Sequence, residues 1–459
     1  MKEKPLRLHK YIEEVRRINL GSRKTYQIRT FGCQMNENDS EKIAGVLEEM
    51  GYLAASDNEI PDFILFNTCC VRENAEQKVF GHLGVLKKQK EKKESLIIAL
   101  CGCMMQQAGT LDKIKKSYRH ADIVYGTNKS HLLPQYLYTL LTTGQKQYFA
   151  EPVDQEIIEG QPVKRESSIK AYVPIMYGCN NFCSYCVVPL VRGRERSRKK
   201  DDIINEINSL VAEGTKEVTL LGQNVNSYDS DGDFTELLYL IDRQCDIKRI
   251  RFMTSHPKDI SSRLIQAIHD IDKVCNHLHL PLQSGSTKVL SEMNRKYDKD
   301  RYLAIISEAK QMVPEIGLST DIIVGFPGET DDDFEDTLDV LEKCEFDFAY
   351  TFLYSKRRGT PAASRKDQIT KEVKGERFEK LLEKQNSITL KKNLSFVGST
   401  VKVLVEGASK TDKEILTGRD EANKIINFKG SPDLIGEIVN VKITSAKTWH
   451  LEGETNENI

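Results

Sequence analysis

The sequence predicts an α/β protein in three parts: an N-terminal doubly wound parallel α/β domain, a central partial (β/α)6 barrel and a small C-terminal β-barrel. Strand-like and helix-like segments alternate over residues 24–142, and the alternation resumes with a longer period over residues 165–395. Short strand-like segments separated by turns fill residues 397–459. These three patterns set the predicted domain boundaries.

In the first region, apolar runs of strand length alternate with segments of helical periodicity. The strand-like runs are TYQIRTFG, DFILFNT, SLIIALC and ADIVYG, and the helical segments are DSEKIAGVLEEMG, ENAEQKVFGHLGVLKKQKEK and KSHLLPQYLYTLL. Asp39 and Ser40 are candidate caps of the first helix, and Gly51 marks its end. This alternation favours a parallel sheet with helices on both faces. A charged connector, about residues 144–168, follows.

The second region offers six strand candidates with helices between them. The strand candidates are YVPIMYG, EVTLLGQ, RIRFMT, HLHLPL, STDIIVGF and FAYTFLY. Helical segments such as DDIINEINSLVAEG, DKDRYLAIISEAKQMV and DDDFEDTLDVLEKC separate these runs. Six strands with crossovers and no Rossmann glycine fingerprint favour a partial (β/α) barrel, with a doubly wound sheet as the alternative.

A polar helix over residues 371–393 leads into the third region. The segments STVKVLVEG, EILTGRD, KIINFKG and IGEIVNVKITSA then read as short β-strands joined by turns. This pattern predicts a small β-barrel similar to an OB-type module.

The composition excludes several classes of protein. The 459 residues are 39% hydrophobic and 29% charged, with a formal net charge of −1, so no overall field draws the chain to nucleic acid or membrane. The sequence has no apolar run of about 18 residues, so we expect no membrane span. The charged N-terminus lacks the apolar core of a secretory signal. We therefore expect a cytoplasmic protein whose eleven cysteines are metal ligands or buried hydrophobes.

Three cysteines in the pattern CxxxCxxC follow the first strand candidate of the second region: Cys179, Cys183 and Cys186. A structural zinc site needs a fourth protein ligand, which this stretch does not provide. A [4Fe–4S] cluster held by three thiolates instead keeps one iron open. S-adenosylmethionine can bind that iron through its amino and carboxylate groups and be cleaved reductively to a 5′-deoxyadenosyl radical. Three structural cysteines in a turn are the alternative.

Eight stretches, in order along the chain, resemble the motifs of radical-SAM methylthiotransferases, most closely the tRNA type that acts on N6-isopentenyladenosine. They are TFGCQMNENDSE, NTCCVRENAEQKVFG, GCMMQ, GCNNFCSYCVVPLVRGRERSR, LLGQNVNSY, FMTSHP, HLPLQSGS and DIIVGFPGET. The resemblance extends from about Thr25 to Glu452. It implies that the partial barrel is a radical-SAM core and that the C-terminal β-barrel is a TRAM domain.

Three cysteines of the first region each follow a predicted strand: Cys33, Cys69 and Cys103. Because ligands bind beyond the carboxyl ends of strands in an open parallel sheet, we expect these cysteines to meet at one edge. The resemblance implies that they hold a second, auxiliary [4Fe–4S] cluster that carries the sulfur to be transferred. Cys70 and Cys101 are adjacent competitors. The remaining cysteines have apolar neighbours and are predicted to be buried hydrophobes: Cys245, Cys275 and Cys344.

The resemblance also implies contacts with S-adenosylmethionine at the carboxyl ends of the barrel strands. Tyr185 lies inside the cysteine loop, and Gln223 stands where the superfamily usually has a glutamate-type residue. The predicted cofactor-binding residues are Tyr185, Gln223, Ser284, Asp321, Ile323 and Gly325. Gln283 is a plausible ribose or substrate contact. Asp321 stands where the superfamily often has glycine, and turn chemistry is the alternative for each position, including Ser284 and His256.

The implied substrate is the anticodon stem-loop of a tRNA. Residues 192–200 hold six basic residues and a single acid, so Arg192 and Arg194 are predicted to contact phosphates, with a solvated face as the alternative. The resemblance implies that one S-adenosylmethionine methylates sulfur at the auxiliary cluster. A second yields the radical that removes hydrogen from carbon 2 of adenosine-37. It further implies an external electron donor such as a flavodoxin or ferredoxin, and we expect a monomer.

Three alternatives remain at this point. Two lie within the family: a threonylcarbamoyladenosine tRNA methylthiotransferase, and an enzyme that acts on an aspartate of a ribosomal protein. The third is not an enzyme but an iron–sulfur carrier that binds RNA.

Overall fold

The structure is a computed structural model that describes residues 3–56, 59–70, 73–127, 129–149, 156–410 and 412–455. The predicted C-terminal domain runs to residue 459, and its last four residues, 456–459, lie outside the described part. No helix within these ranges has both the length and the apolar composition needed to cross a membrane.

The described part of the N-terminal domain contains six strands and five α-helices. The strands are β1 (Lys24–Thr30), β2 (Tyr52–Ala54), β3 (Phe63–Thr68), β4 (Ile97–Gly102), β5 (Ile123–Tyr125) and β6 (Gln147–Phe149). The helices are α1 (Glu3–Asn19), α2 (Gln34–Glu49), α3 (Glu73–Lys92), α4 (Thr110–Ser117) and α5 (Leu133–Thr143). All strand pairs are parallel, in the order β2-β1-β3-β4-β5-β6.

Apolar residues cover both faces of this sheet. One core joins residues of α1, α2 and α5 to the sheet, and a second joins residues of α3 and α4 to its other face. The predicted doubly wound domain is therefore confirmed. The sheet also includes β6, beyond the predicted boundary at residue 142, and α1 precedes residue 24. β2 and β6 form the two edges of the sheet and bury one residue each, so neither has the buried apolar run that marks the equally short β5.

The predicted caps of α2 are wrong. The helix begins at Gln34, with Cys33 as its N-cap, so Asp39 and Ser40 lie inside it. Both side chains have tertiary partners instead: the Ser40 and Thr30 hydroxyls lie 2.7 Å apart, and Asp39 pairs with Arg192 of the barrel. Polar residues that would cap an isolated helix are here used for packing between elements.

The central domain contains eight strands and eight helices. The strands are β7 (Lys170–Pro174), β8 (Met176–Tyr177), β9 (Arg196–Ser197), β10 (Glu217–Leu221), β11 (Arg249–Phe252), β12 (His277–His279), β13 (Gly317–Val324) and β14 (Phe348–Leu353). The helices are α6 (Val188–Val191), α7 (Lys200–Ala212), α8 (Phe234–Gln244), α9 (Ser262–Asp270), α10 (Thr287–Glu292), α11 (Lys299–Met312), α12 (Asp331–Cys344) and α13 (Lys371–Leu394).

Six of these strands form an incomplete barrel. Parallel pairing gives the orders β11-β10-β7 and β12-β13-β14, and a bridge between Ile250 and Val274 joins the two halves. No pairing links β7 to β14, both of which lie in fully described segments, so a lateral gap remains. The helices bury one large apolar core against the outside of the strands. The predicted partial barrel is confirmed, and the doubly wound alternative is excluded.

The C-terminal domain is a closed barrel of five strands: β15 (Thr400–Ala408), β16 (Ile415–Arg419), β17 (Ile425–Lys429), β18 (Ile438–Ala446) and β19 (Leu451–Glu454). It lies against the amino ends of the central strands. Arg249 donates to the backbone oxygen of Arg419 at 2.7 Å, and Arg251 donates to that of Glu421 at 3.0 Å. The carboxyl ends of the central strands, where (β/α) barrels build their sites, stay on the opposite side.

Candidate active site

The loop that carries the CxxxCxxC motif lies between β8 and α6, and backbone contacts define its shape. The Cys179 N–H donates to the Gly193 oxygen at 3.1 Å, and Glu195 accepts from the backbone and side chain of Asn180. Gly178 has φ +76°, and a Cβ there would lie 2.0 Å from the Arg194 oxygen. Only glycine fits this close approach, so the start of the loop is fixed locally.

The three cysteines of this loop lie in a largely dry environment. Cys179 and Cys183 are each 8% exposed. Burial raises the pKa of Cys179 to about 11, with a further contribution from Glu195, and burial raises the pKa of Cys186 to about 12, with a further contribution from Cys183. A metal centre would remove these protons, because thiolates rather than thiols bind metal. The described cysteines do not stand in the arrangement that a single metal ion requires.

A buried arginine lies beside the loop, and the sequence analysis did not single it out. Arg295 donates to the Cys183 sulfur at 3.7 Å, to Tyr297 Oη at 3.0 Å and to the Pro281 oxygen at 2.9 Å. Its neighbour Asn294 donates to the Phe182 oxygen. The segment MNRKY therefore supplies both a cation and an anchor to the cysteine loop. No motif or hydrophobic period in the sequence pointed to this arginine.

Two predicted cofactor contacts meet in one apolar cluster. Tyr185 of the loop and Ile323 of β13 pack on the same buried residues: Val289, Met293, Phe326, Tyr354 and Ala362. Gly325 follows β13 with φ +75°, and a Cβ there would lie 2.3 Å from the Lys374 side chain. Glycine is therefore required at this position because the backbone approaches α13 closely. Tyr185 and Ile323 offer the flat apolar surface that an adenine ring needs.

Gln223 carries an unused acceptor. Its Oε1 is buried and has no hydrogen-bond partner in the described part of the chain, and neighbouring Asn224 Oδ1 shares this property. A buried acceptor without a partner costs about 1–3 kcal/mol, which a bound donor would recover. An ammonium group is such a donor. The residues present therefore fit S-adenosylmethionine on this observation, together with the three adjacent thiols and the cation at Arg295.

The other residues predicted to contact the cofactor or substrate differ in their burial and in their hydrogen-bond partners. Ser284 is 1% exposed, and its hydroxyl oxygen accepts from the Ser286 N–H, a turn contact. Gln283 has φ +69°, and its backbone pairs with β13. Asp321 lies 3.6 Å from His279 Nε2 and faces the barrel interior. His256 accepts from the Lys258 N–H through Nδ1, and burial, with Arg295, lowers its pKa to about 2, so its ring is neutral.

In the N-terminal domain, the three predicted ligands come from three strand ends. Cys33 follows β1, Cys69 follows β3 and Cys103 follows β4. A Cβ on Gly32 would lie 3.0 Å from the Cys69 sulfur, and the Cys33 sulfur lies 3.9 Å from Asn36 Oδ1. The register of the parallel sheet thus brings residues far apart in sequence to one edge.

The two competing cysteines differ in position. Cys101 belongs to the apolar core between the sheet and α2, where burial raises the pKa of its thiol well above the ordinary value. Cys70 instead packs with Cys103, Val187 and Val191, and the Cys70 thiol hydrogen-bonds to Cys103. This hydrogen bond, followed by Arg192, lowers the pKa of Cys103 against the effect of burial. Cys70 therefore remains beside the site, and Cys101 faces away from it.

Arg192 lies inside this site, although the sequence predicted an RNA contact. It is 4% exposed, and its Nη2 donates to Asn36 Oδ1 at 2.7 Å and to Asp39 at 3.3 Å. It also hydrogen-bonds to Cys103. A residue of the central barrel thus places a positive charge beside the N-terminal cysteines. Because Arg192 is buried among these partners, its position does not favour a contact with an RNA phosphate. Arg194 is more accessible, with its guanidinium 4.2 Å from the Phe182 ring centroid.

The two cysteine sets adjoin each other. Val187 and Val191 of the α6 region pack on Cys70 and Cys103, and Cys186 is close enough to Cys70 to raise its pKa. Thr127 donates to the Val191 oxygen across the same boundary. Apart from Cys70 and Cys101, the cysteines outside both sets are Cys245, Cys275 and Cys344, and all three are buried, as a hydrophobic role requires.

Three family models match the chain in order. The "Uncharacterized protein family UPF0004" model matches residues 25–126, the "Radical SAM superfamily" model residues 173–341 and the "TRAM domain" model residues 394–455. The first two matched segments fall within the N-terminal and central domains, and the third extends from the last residue of α13 through the C-terminal barrel.

Solved structures share the fold. The radical S-adenosylmethionine methyltransferase TsrM from Kitasatospora setae superposes with a TM-score of 0.55 at 14% identity, covering 74% of this chain and 77% of that one. The cobalamin-dependent S-adenosylmethionine radical enzyme OxsB superposes with a TM-score of 0.51 at 11% identity, covering 80% and 58%. At these identities the likeness concerns the fold alone.

Curated relatives are much closer in sequence. A protein of Acetivibrio thermocellus is 53% identical over 98% of this chain and 96% of its own length. Relatives from Alkaliphilus oremlandii and Clostridium novyi are 54% and 52% identical, over 96% and 94% of this chain and 95% and 96% of their own lengths. All three are named tRNA-2-methylthio-N(6)-dimethylallyladenosine synthase. With this identity over nearly the whole chain, the protein belongs to the tRNA-2-methylthio-N(6)-dimethylallyladenosine synthase family of radical-SAM enzymes.

Proposed function

We propose that this chain methylthiolates carbon 2 of N6-dimethylallyladenosine, also called N6-isopentenyladenosine, at position 37 of tRNA. The observation that best supports this reaction is that two cysteine sets from different domains adjoin each other across Val187, Val191 and Cys70. A transfer that needs a radical at one centre and sulfur at the other requires such proximity.

Two [4Fe–4S] clusters are part of this proposal. Cys179, Cys183 and Cys186 would hold one, and Cys33, Cys69 and Cys103 the other. When bound, the first would supply the electron that cleaves S-adenosylmethionine to a 5′-deoxyadenosyl radical, and the second would supply sulfur. An external one-electron donor of the flavodoxin or ferredoxin type would be the source of that electron.

The protein's own residues would bind and orient the reactants. Gln223 would accept from the ammonium of S-adenosylmethionine, and Arg295 would take its carboxylate beside Cys183. Tyr185 and Ile323 would hold the adenine between them. Because Arg295 is buried and the other three are partly buried, these groups would exclude water from the reacting atoms once the cofactor is bound.

The substrate base must leave its stack to reach this site. Carbon 2 of an adenine inside an RNA loop is not accessible to a buried radical, so we expect the nucleotide to be flipped into the barrel mouth. His279 and Asp321 line the interior below that mouth, with Asp321 27% exposed at its side chain. The dimethylallyl group would need apolar contacts, and Leu190 is 55% exposed near the cysteine loop.

A threonylcarbamoyl substrate is the second candidate, because Arg194 could pair with its carboxylate. Nucleoside mass spectrometry after anaerobic turnover tests the choice. We expect tRNA with N6-dimethylallyladenosine to react at least about ten times faster than unmodified tRNA, a difference of roughly 1.4 kcal/mol in transition-state binding. Equal rates, or a preference for threonylcarbamoyl tRNA, would contradict the substrate assignment. Iron–sulfur transfer without formation of 5′-deoxyadenosine would identify a carrier.

A further inference from the structure

The lateral gap of the central barrel lies between two edge strands, β7 and β14, which we call its lips. The β7 lip is covered by another element, and the β14 lip is open. The β7 lip lies against α2, where Asn38 Nδ2 donates to the Tyr172 oxygen at 3.1 Å. The β14 lip pairs with β13, and no other described strand pairs with it. Its outer edge therefore offers backbone groups and side chains to a ligand that approaches from the side.

Aromatic side chains follow this open lip. Phe348, Tyr350 and Phe352 alternate along β14 and so share one face of the strand, and Trp449 of the C-terminal domain joins them. Ring centroids of Phe348 and Tyr350 lie 4.7 Å apart, and those of Phe348 and Trp449 lie 6.0 Å apart. Tyr350 is 38% exposed and Trp449 is 56% exposed. We call these four residues the β14 platform.

A groove runs between the β14 platform and α13, with a volume of about 400 Å³. Two of its lining residues are Gln385 and Asn386, and their buried side-chain oxygens have no hydrogen-bond partner in the described part of the chain. Gln385 is only 3% exposed. Buried acceptors without partners are rare in folded proteins, so they indicate a ligand that carries N–H donors. Nucleobases carry such donors on their edges.

Positive charge lies where β14 ends. Lys356, Arg357 and Arg358 follow the strand with no acidic residue between positions 354 and 360, and Lys356 and Arg358 are exposed. This basic segment reaches the cysteine loop, because a Cβ on Gly359 would lie 3.3 Å from the Leu190 side chain. Aromatic faces for bases next to cations for phosphates are the pattern of single-stranded RNA recognition.

We propose that the β14 platform stacks unpaired nucleotides of the RNA loop that flank the reacting adenosine, while the basic segment binds their phosphates. The inference rests on the proposed function, since it takes its RNA from that reaction. It goes beyond that function by assigning the substrate's neighbouring bases to a side entrance of the barrel. Stacking along this lip would also offset the cost of unstacking the target base.

Trp449 is the only tryptophan of the chain, so tryptophan fluorescence, excited selectively over that of the tyrosines, reports on this surface alone. The experiment uses the full-length, anaerobically reconstituted protein and a synthetic anticodon stem-loop that contains N6-dimethylallyladenosine. We expect this RNA to quench Trp449 emission, and a fully paired duplex of the same length to leave it unchanged. Fluorescence anisotropy of labelled RNA measures binding independently of the tryptophan.

Substitutions distinguish the contribution of base stacking to RNA affinity from the contribution of positive charge. Trp449→Ala and Tyr350→Ala should each weaken RNA binding about ten-fold, and Trp449→Phe should retain most of the affinity. Lys356→Ser should reduce the slope of log affinity against log salt by about 0.7, whereas Lys88→Ser on the distant helix α3 should not. Leu20→Ala, at a position 75% exposed, serves as the apolar control. Iron content and formation of 5′-deoxyadenosine confirm that each variant is folded.

The possible outcomes are distinct. Quenching together with the expected losses in affinity supports the proposal. Tight RNA binding with unchanged Trp449 emission and wild-type affinity in all variants overturns it, while the methylthiolation assignment stands. Variants that convert a dimer to a monomer in sedimentation, without a change in RNA affinity, also overturn it, because the platform would then join two copies of the chain. Failure of the wild-type protein to bind or modify any RNA rejects the proposed function itself.

Discussion

The two cysteine sets are built in opposite ways. Cys179, Cys183 and Cys186 lie on one loop, whose backbone is held by a near contact, the Cys179 N–H to the Gly193 oxygen, and by distant ones such as the Ser184 N–H to the Met293 oxygen. Cys33, Cys69 and Cys103 come from three strand ends and meet only when the parallel sheet has formed. The contiguous set is brought together by the conformation of one loop. The dispersed set is brought together only when the whole N-terminal domain has folded.

The cation beside each set shows the same contrast. Arg295 belongs to the same domain as the cysteine that it contacts, at 3.7 Å from the Cys183 sulfur. Arg192 belongs to the barrel but is buried among Asn36, Asp39 and Cys103 of the other domain. The N-terminal site is therefore complete only after the two domains dock. We expect perturbations of docking to affect sulfur transfer before they affect radical formation.

The largest expected effect comes from the contiguous set. Replacing Cys179, Cys183 and Cys186 by alanine should lower iron from about eight to about four per chain and abolish 5′-deoxyadenosine formation, because one four-iron cube loses all its ligands. Iron analysis and chromatography of the nucleoside product measure both. The matched control replaces Cys245, Cys275 and Cys344, which should keep all the iron. Reductive cleavage at the wild-type rate in the first variant would reject the assignment.

The dispersed set should separate the two half-reactions. Replacing Cys33, Cys69 and Cys103 should remove about four irons and end methylthiolation, while 5′-deoxyadenosine still forms at the other centre. Cys70→Ala tests the neighbour that hydrogen-bonds to Cys103, and Cys101→Ala tests the cysteine in the core. If either single variant lost the cluster and the triple variant kept it, the ligand assignment would change.

The third prediction concerns Arg192. Arg192→Leu should reduce methylthiolation at least about ten-fold, roughly 1.4 kcal/mol, and leave reductive cleavage almost unchanged. Removing a positive charge also makes reduction harder, so the midpoint potential of the N-terminal cluster should become more negative. A redox titration followed by electron paramagnetic resonance measures this shift. Arg192→Lys keeps the charge with fewer donors and should recover part of both properties. Equal losses in both half-reactions would indicate a structural role only.

The smallest effect should come from the ion pairs that hold the domains together. Arg165 pairs with Glu41 of α2 and with Glu206 of α7, each at 2.9 Å. Arg165→Leu should lower the free energy of unfolding by about 1–3 kcal/mol at pH 7, since it leaves two largely buried carboxylates without this partner. Thermal unfolding measures the loss, and Arg243→Leu on the exposed face of α8 is the control.

The same variant predicts a change in pH dependence. Burial opposes ionisation of Glu206, but Arg198, Lys42 and Arg165 outweigh it and lower its pKa below the ordinary 4.5. A lowered pKa gives stability that is present above 4.5 and is lost as pH falls through the folded-state value. Arg165→Leu lets that pKa rise, so unfolding temperature should fall less between pH 7 and pH 4 than in the wild-type protein. An identical fall in both proteins would show that Arg165 does not act on Glu206.

Local patterns in the sequence were sufficient for much of the fold. Alternating strand and helix periods predicted the parallel sheet and the partial barrel, and the CxxxCxxC spacing predicted the contiguous cysteine set. The short strands β2 and β6 were missed because, as edge strands, each buries a single residue, whereas the equally short β5 buries all three. The caps of α2 were misassigned because Asp39 and Ser40 serve tertiary contacts, and no local rule distinguishes a capping side chain from one that binds another element.

The positions of two arginines and of one aromatic surface were decided only by the tertiary structure. By itself, the sequence determined the three domains and the family, because hydrophobic period and motif spacing are local properties of the chain. It placed Arg192 in a basic run that resembled a solvated or phosphate-binding face, and it gave no signal for Arg295. Tertiary structure decided both, since burial and partners depend on which surfaces meet. The same holds for Tyr350 and Trp449, which the chain brings together from different domains.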